Sequence, residues 1–133
     1  MNYKVTDGEQ LRSRRCAVAS ATVIAAGALV AIDTGLIITA VAASTKVGYC
    51  RDGSADGETT CIVSTGNDFT LRGTMDVVFA VSYKGGEYDI NDTAQTINVG
   101  ASTLDILTVS IDEDAGVVGV ATGVEVRINK PLF

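Results

Sequence analysis

The feature that most restricts this fold is an uncharged run that stops for three residues and then resumes. Cys16 to Ile32 carries no charge, Asp33-Thr34-Gly35 interrupts it, and no further charge follows until after Thr45. A membrane-crossing helix needs about 20 consecutive apolar residues, and here the first half is dominated by alanine while Asp33 stands inside any longer span. The break reads instead as a tight turn joining two buried strands, Ala28 to Ile32 and Leu36 to Val41. Arg12, Arg14 and Arg15 before the run and Ala40, Ala42 and Ala43 beyond it also satisfy the loose grammar of a cleavable export signal. An exported β-rich surface or pilus-type subunit is therefore the alternative reading.

The rest of the chain carries strand and turn signals. Val124, Val126 and Ile128 alternate with Glu125, Arg127 and Asn129, the period-2 pattern of a strand with one face buried and the other in water. Val77, Phe79 and Val81 share one face of another predicted strand. With Lys84-Gly85-Gly86 as the turn and Tyr88 and Ile90 alternating with Glu87 and Asp89, they predict a hairpin. Short apolar runs at Cys61 to Val63, Ile97 to Val99 and Leu104 to Ile111 are divided by Gly66-Asn67-Asp68, Asn91-Asp92 and Asp112-Glu113-Asp114. Fourteen glycines against one proline fit such turns. The alanines between Ala17 and Ala31 favour helix, while Val18, Thr22, Val23, Ile24, Val30 and Ile32 favour strand. The expected fold is all-β, a small sandwich or barrel-like body.

Composition then excludes function classes. A chain of 133 residues makes one domain the default. Histidine and tryptophan are absent, which removes the commonest general base, the commonest neutral metal ligand and the His-containing triads. Net charge is −6, yet Met1 to Arg15 is +2 (Lys4, Arg12, Arg14 and Arg15 against Asp7 and Glu9), leaving −8 on the remainder. An acidic body is repelled by nucleic acid and by anionic membrane, so neither is expected as a partner. Residues 1–15, with Tyr3 and Val5 as almost their only apolar anchors before Leu11, are expected to form an extended N-terminal arm on a body spanning 16–133. The alternation Tyr3-Lys4-Val5-Thr6 suits strand addition to a partner's sheet.

Candidate chemistry is sparse. Asp52-Gly53-Ser54-Ala55-Asp56-Gly57-Glu58 reproduces the first half of a calcium loop, but its twelfth position is Val63, so the bidentate glutamate is missing and a solvated hairpin tip is the expectation. Asp112-Glu113-Asp114 reads as a solvated turn, and Asn91-Asp92-Thr93 fits a glycosylation acceptor of the kind that arises by chance. Cys50 and Cys61 bracket a turn-rich segment and could meet across a hairpin mouth as a disulfide. The plainer reading is two small buried hydrophobes in a reduced protein, since three cysteines leave one unpaired under any single bond. There is no Cys-x-x-Cys, phosphate loop or nucleophile elbow. No catalytic residue, cofactor or metal is expected, and the chain is not read as an enzyme.

In its order of features the chain resembles the head decoration, or capsid cement, proteins of tailed bacteriophages. The likeness runs from Ala26-Gly27-Ala28-Leu29-Val30 through Asp33-Thr34-Gly35 and the loop Gly48-Tyr49 to Gly57. It continues through Tyr88-Asp89-Ile90-Asn91, Gln95-Thr96-Ile97 and Asp114-Ala115-Gly116, and ends in Val124-Glu125-Val126-Arg127-Ile128-Asn129-Lys130-Pro131-Leu132-Phe133. The resemblance covers residues 16–133 and implies a β-rich homotrimer, made in the bacterial host cytoplasm. Such a trimer binds the outer surface of an expanded capsid and bridges neighbouring major capsid subunits. Under that reading Tyr3, Val5, Arg12, Arg14 and Arg15 are expected to face the capsid. Leu132 and Phe133 are expected to dock the C-terminus into the body or a neighbour. The three cysteines and the basic arm depart from the family pattern.

Overall fold

A computed structural model describes residues 3–7, 12–92 and 94–133. The chain is all-β, with three antiparallel sheets forming a sandwich-like body. The largest sheet has six strands: β1 (Lys4–Asp7), β7 (Thr70–Thr74), β11 (Thr122–Ile128), β10 (Leu107–Val109), β8 (Glu87–Ile90) and β9 (Ile97–Asn98), adjacent in that order. A three-stranded sheet places β3 (Ala28–Asp33) between β4 (Leu36–Thr39) and β5 (Gly48–Cys50). A two-stranded ribbon pairs β2 (Ser13–Ala17) with β6 (Thr60–Ser64).

The three-stranded sheet is the middle layer, and this explains its sequence. Leu29, Ala31 and Tyr49 join the large core with Leu71, Ile90, Leu107, Val124, Val126 and Ile128 of the six-stranded sheet. Ala28, Val30 and Cys50, which alternate with them, join Val18, Ile37, Cys61 and Val63 in a second core against the ribbon. A strand buried on both faces needs an unbroken apolar run, and Ala28-Leu29-Val30-Ala31 supplies it. The turn after it is the expected one. Asp33 pairs with Leu36, and the two residues between them, Thr34 (φ 48°) and Gly35 (φ 83°), both take positive φ, as a two-residue type I′ hairpin requires. The alternation in β11 also holds: Val124, Val126 and Ile128 are buried, while Glu125 is half-buried and Arg127 exposed.

Three expectations are corrected. The stretch 1–15 is not a detached arm where it is described: β1 pairs with β7, β2 pairs with β6, and Tyr3 is 3% exposed in the large core. Its few apolar groups suffice because backbone hydrogen bonds to existing strands supply the rest. Residues 1, 2 and 8–11 lie outside the described residues. The hairpin from Val77 does not form either. Phe79 is buried at 1% exposure, Val77, Val78 and Val81 face outward, and Val81–Tyr83 is a single 3-10 turn. In β8 the alternation breaks at Asp89, which is buried because its carboxylate accepts hydrogen bonds from the Leu104 and Asp105 amides at 2.9 Å each. The run Leu104 to Ile111 contributes only Leu107–Val109 as strand.

A polar chain crosses the large core. The Tyr49 hydroxyl donates to the Tyr3 carbonyl at 2.8 Å, and the Tyr3 hydroxyl donates to the Gln95 carbonyl at 2.7 Å. The fully buried Gln95 side chain accepts from the Leu29 amide at 2.8 Å and donates to the Leu29 and Ala40 carbonyls at 2.7 and 2.9 Å. Burial pushes the Tyr3 phenol far above its ordinary range, so it serves as a neutral donor. Gly73 makes room for its ring, since a Cβ there would lie 2.4 Å from Tyr3 Cε1.

Candidate interaction surfaces

Phe79 is the pin of the first surface. Its amide donates to the Val120 carbonyl at 3.0 Å, its carbonyl accepts from the Gly119 amide at 2.9 Å, and its ring packs against Gly116, where a Cβ would stand 3.1 Å away. The Met75 amide extends this pairing to the Ala121 carbonyl. With the phenyl ring held inside, the flanking aliphatic residues are turned out to water: Val77, Val78 and Val81 on one segment, Val117, Val118 and Val120 on the other, with Ile111 beside them at 78% exposure. Asp76, Asp112, Glu113 and Asp114 are exposed around them. Soluble monomers rarely expose contiguous apolar patches beyond a few hundred Å², so an aliphatic end with an acidic rim has the character of a contact surface.

The second surface lies beyond the other end of β11. After that strand the chain runs through Lys130 to Phe133, whose backbone bonds to Val47 and Gly66. Leu132 and Phe133 pack on the second core, and the Arg14 guanidinium lies 5.1 Å from the Phe133 ring centroid in a cation–π contact. Arg14 and Arg15 are exposed on β2 and Arg12 is exposed just before it, and Ile62, opposite Arg15 on β6, is 40% exposed. Among the described residues the ion pairs are Arg51–Asp52 and Arg72–Glu125, so no described carboxylate is paired with these three arginines.

The residues expected to face a partner therefore separate. Arg12, Arg14 and Arg15 are gathered on one open ribbon. Tyr3 is enclosed, and Val5 is half-buried against the large core. Neither belongs to the arginine surface, which corrects the grouping expected from the sequence. Leu132 and Phe133 lie against this chain's own body. Cys50 and Cys61 are free thiols, both buried in the second core. Burial pushes the Cys61 thiol up to about 12 and raises that of Cys50 as well.

The remaining motifs do not converge on a ligand. In the stretch 52–58, Ser54 is buried with its backbone paired to Ile24, while Asp52, Asp56 and Glu58 point to solvent. Among the described residues no group of three or more cysteine or acidic side chains is arranged to hold a metal ion. Thr93 of the glycosylation pattern lies outside the described residues. Among them, no helix is long and apolar enough to cross a membrane. The aliphatic end and Gln95 were both hidden from sequence reading. Alternating valines resemble a strand, and a glutamine in a polar stretch resembles a loop residue. Comparison with protein-family models, with curated proteins and with solved structures gives no match.

Proposed function

We propose that this chain is a structural virion protein, a decoration protein that binds the outer surface of a tailed-phage capsid as a homotrimer and bridges neighbouring major capsid subunits. The observation that supports it best is the display of two unlike contact surfaces at opposite ends of β11. The aliphatic end suits burial against a symmetry mate in a closed ring. The ribbon bearing Arg12, Arg14 and Arg15 suits carboxylates on the shell. Each contact can be weak, because linked sites raise overall avidity by about 10² to 10⁴. An acidic body also suits a position outside the shell, where the packaged DNA does not attract it.

The test is sedimentation of the purified chain with empty expanded heads, together with light scattering of the free protein. A trimer that sediments with the heads and protects them from heat is expected. Replacing Arg12, Arg14 and Arg15 together by alanine should abolish co-sedimentation while leaving a folded protein. Removing residues 1–15 is not an equivalent test, since it also removes β1 and Tyr3 from the core. A monomer that stays in the supernatant would overturn the reading.

A further inference from the structure

The second core contains three thiols in a line of approach from solvent to interior. Cys16 and Cys61 are direct cross-strand partners in the β2–β6 ribbon, and Cys61 and Cys50 are buried together in the second core, against which Cys16 packs. Directly opposed residues of an antiparallel pair have Cα atoms about 4.5–5.5 Å apart, within the roughly 4.4–6.8 Å that a disulfide spans. Cys61 thus has one thiol opposite it across the ribbon and another in the core it shares with the middle sheet. Exposure grades along the series: Cys16 is half-buried at the ribbon surface, Cys61 is 4% exposed and Cys50 is sealed at 0%. None of the three is joined in a disulfide.

We propose that Cys16, Cys61 and Cys50 form a thiol–disulfide relay, in which Cys16 reacts with a small-molecule disulfide of the glutathione type and Cys61 resolves the adduct into an internal bond. The Cys16 thiolate attacks one sulfur of the external disulfide. A mixed disulfide forms, and the first small thiolate leaves and takes up the proton that Cys16 gave. The Cys61 thiolate then attacks the Cys16 sulfur, forming Cys16–Cys61 and expelling the second small thiolate, which takes the proton from Cys61. Two protein thiols are oxidised and one external disulfide is reduced to two thiols. Attack of the Cys50 thiolate on the Cys61 sulfur then makes Cys50–Cys61 and returns Cys16 as a thiol. Burial holds all three thiols above their ordinary range, so the exchange is slow at neutrality and quickens as pH rises.

The two bonds have different structural effects. Cys16–Cys61 staples the ribbon to itself beneath the arginines, whereas Cys50–Cys61 ties the ribbon to the middle sheet. The full chain is incubated with oxidised glutathione at about pH 9.5, above the ordinary thiol value because burial raises all three of these, then alkylated at intervals and mapped without reduction. A transient glutathione adduct at Cys16 is expected. It should give way to a chain lighter by two hydrogens that holds Cys16–Cys61 and then Cys50–Cys61, with Tm higher by about 5–10 °C. Cys16→Ser should keep the parent Tm yet slow internal disulfide formation at least tenfold. Cys50→Ser should stop at Cys16–Cys61. Equal oxidation rates in Cys16→Ser and the parent would overturn the relay, as would a persistent Cys16 adduct with no internal bond.

Discussion

The two faces of β3 look onto interiors of different construction. Toward the six-stranded sheet, Leu29 and Ala31 meet a core crossed by the Tyr49–Tyr3–Gln95 hydrogen-bond chain, whose every link is between 2.7 and 2.9 Å. Toward the ribbon, Ala28 and Val30 meet aliphatic residues and thiols. There the buried Ser54 hydroxyl has no hydrogen-bond partner. The difference shows where uniqueness resides. In the first interior any displaced arrangement orphans buried donors and acceptors, at about 1–3 kcal/mol each. In the second, shape alone decides, and volume-conserving exchanges are tolerated.

The largest expected effect comes from Gln95. Gln95→Ala leaves the Leu29 amide and the Ala40 carbonyl without the Gln95 side chain, leaves the Leu29 carbonyl with the Ala40 amide alone, and opens a cavity, so it should cost about 3–5 kcal/mol in chemical denaturation. Cys61→Ala, a truncation on the other face, should cost about 1–2 kcal/mol. Equal losses would erase the contrast. Gly73→Ala should fall between them, at about 1–3 kcal/mol, since the new methyl meets the Tyr3 ring at 2.4 Å and the ring cannot retreat without breaking its bond to Gln95.

Alkaline titration separates the two interiors by the pH at which each begins to fail. Burial raises the Cys61 thiol from 9.0 to about 12, and also raises the Tyr3 phenol above its ordinary 10.0. In both cases the folded chain keeps a proton that the unfolded chain releases. The stabilisation is therefore complete below the unfolded value and declines above it, by about 1.4 kcal/mol per pH unit for each group. Stability should start to fall near pH 9 from the thiol side and steepen near pH 10 as the phenol contributes. Denaturant midpoints across pH 8 to 11 should show a flatter first limb for Cys61→Ala and a flatter second limb for Tyr3→Phe. Identical profiles for both variants would mean that neither core titrates as a unit.

These contrasts were unequally legible in the sequence. The Asp33-Thr34-Gly35 turn, the doubly buried run at Ala28–Ala31 and the alternation of β11 could be read because each is a local pattern imposed by burial or turn geometry. Tyr3 and Gln95 could not, because their partners lie 92 residues apart and the bond joins a terminal side chain to a backbone carbonyl. Val77, Phe79 and Val81 misled for a related reason. One inward aromatic flanked by outward valines has the same spacing as a strand face, and only the pairing with Val117 to Ala121, nearly forty residues on, decides between them. The arginine ribbon was visible as charge, but its attachment to β6 was not, since β2 has little apolar content of its own.

The smallest effect is also the most discriminating. Tyr3→Phe removes one hydroxyl and nothing else: the ring still fills the space above Gly73, and the Tyr3 carbonyl still accepts from Tyr49. What is lost is the donor to the Gln95 carbonyl, so the cost should be about 1–1.5 kcal/mol, the net value of one buried neutral hydrogen bond. A double-mutant cycle with Gln95→Ala should then show coupling of about 0.5–1 kcal/mol, because displacement of the Gln95 backbone weakens the bond that Tyr3 makes to it. Additive losses would mean that Gln95 holds β3 and Ala40 together independently of the N-terminal strand. In that case the N-terminal segment is joined to the core through β7, the packing of the Tyr3 ring and the backbone bonds of Tyr3 to Gly27 and the Tyr49 hydroxyl.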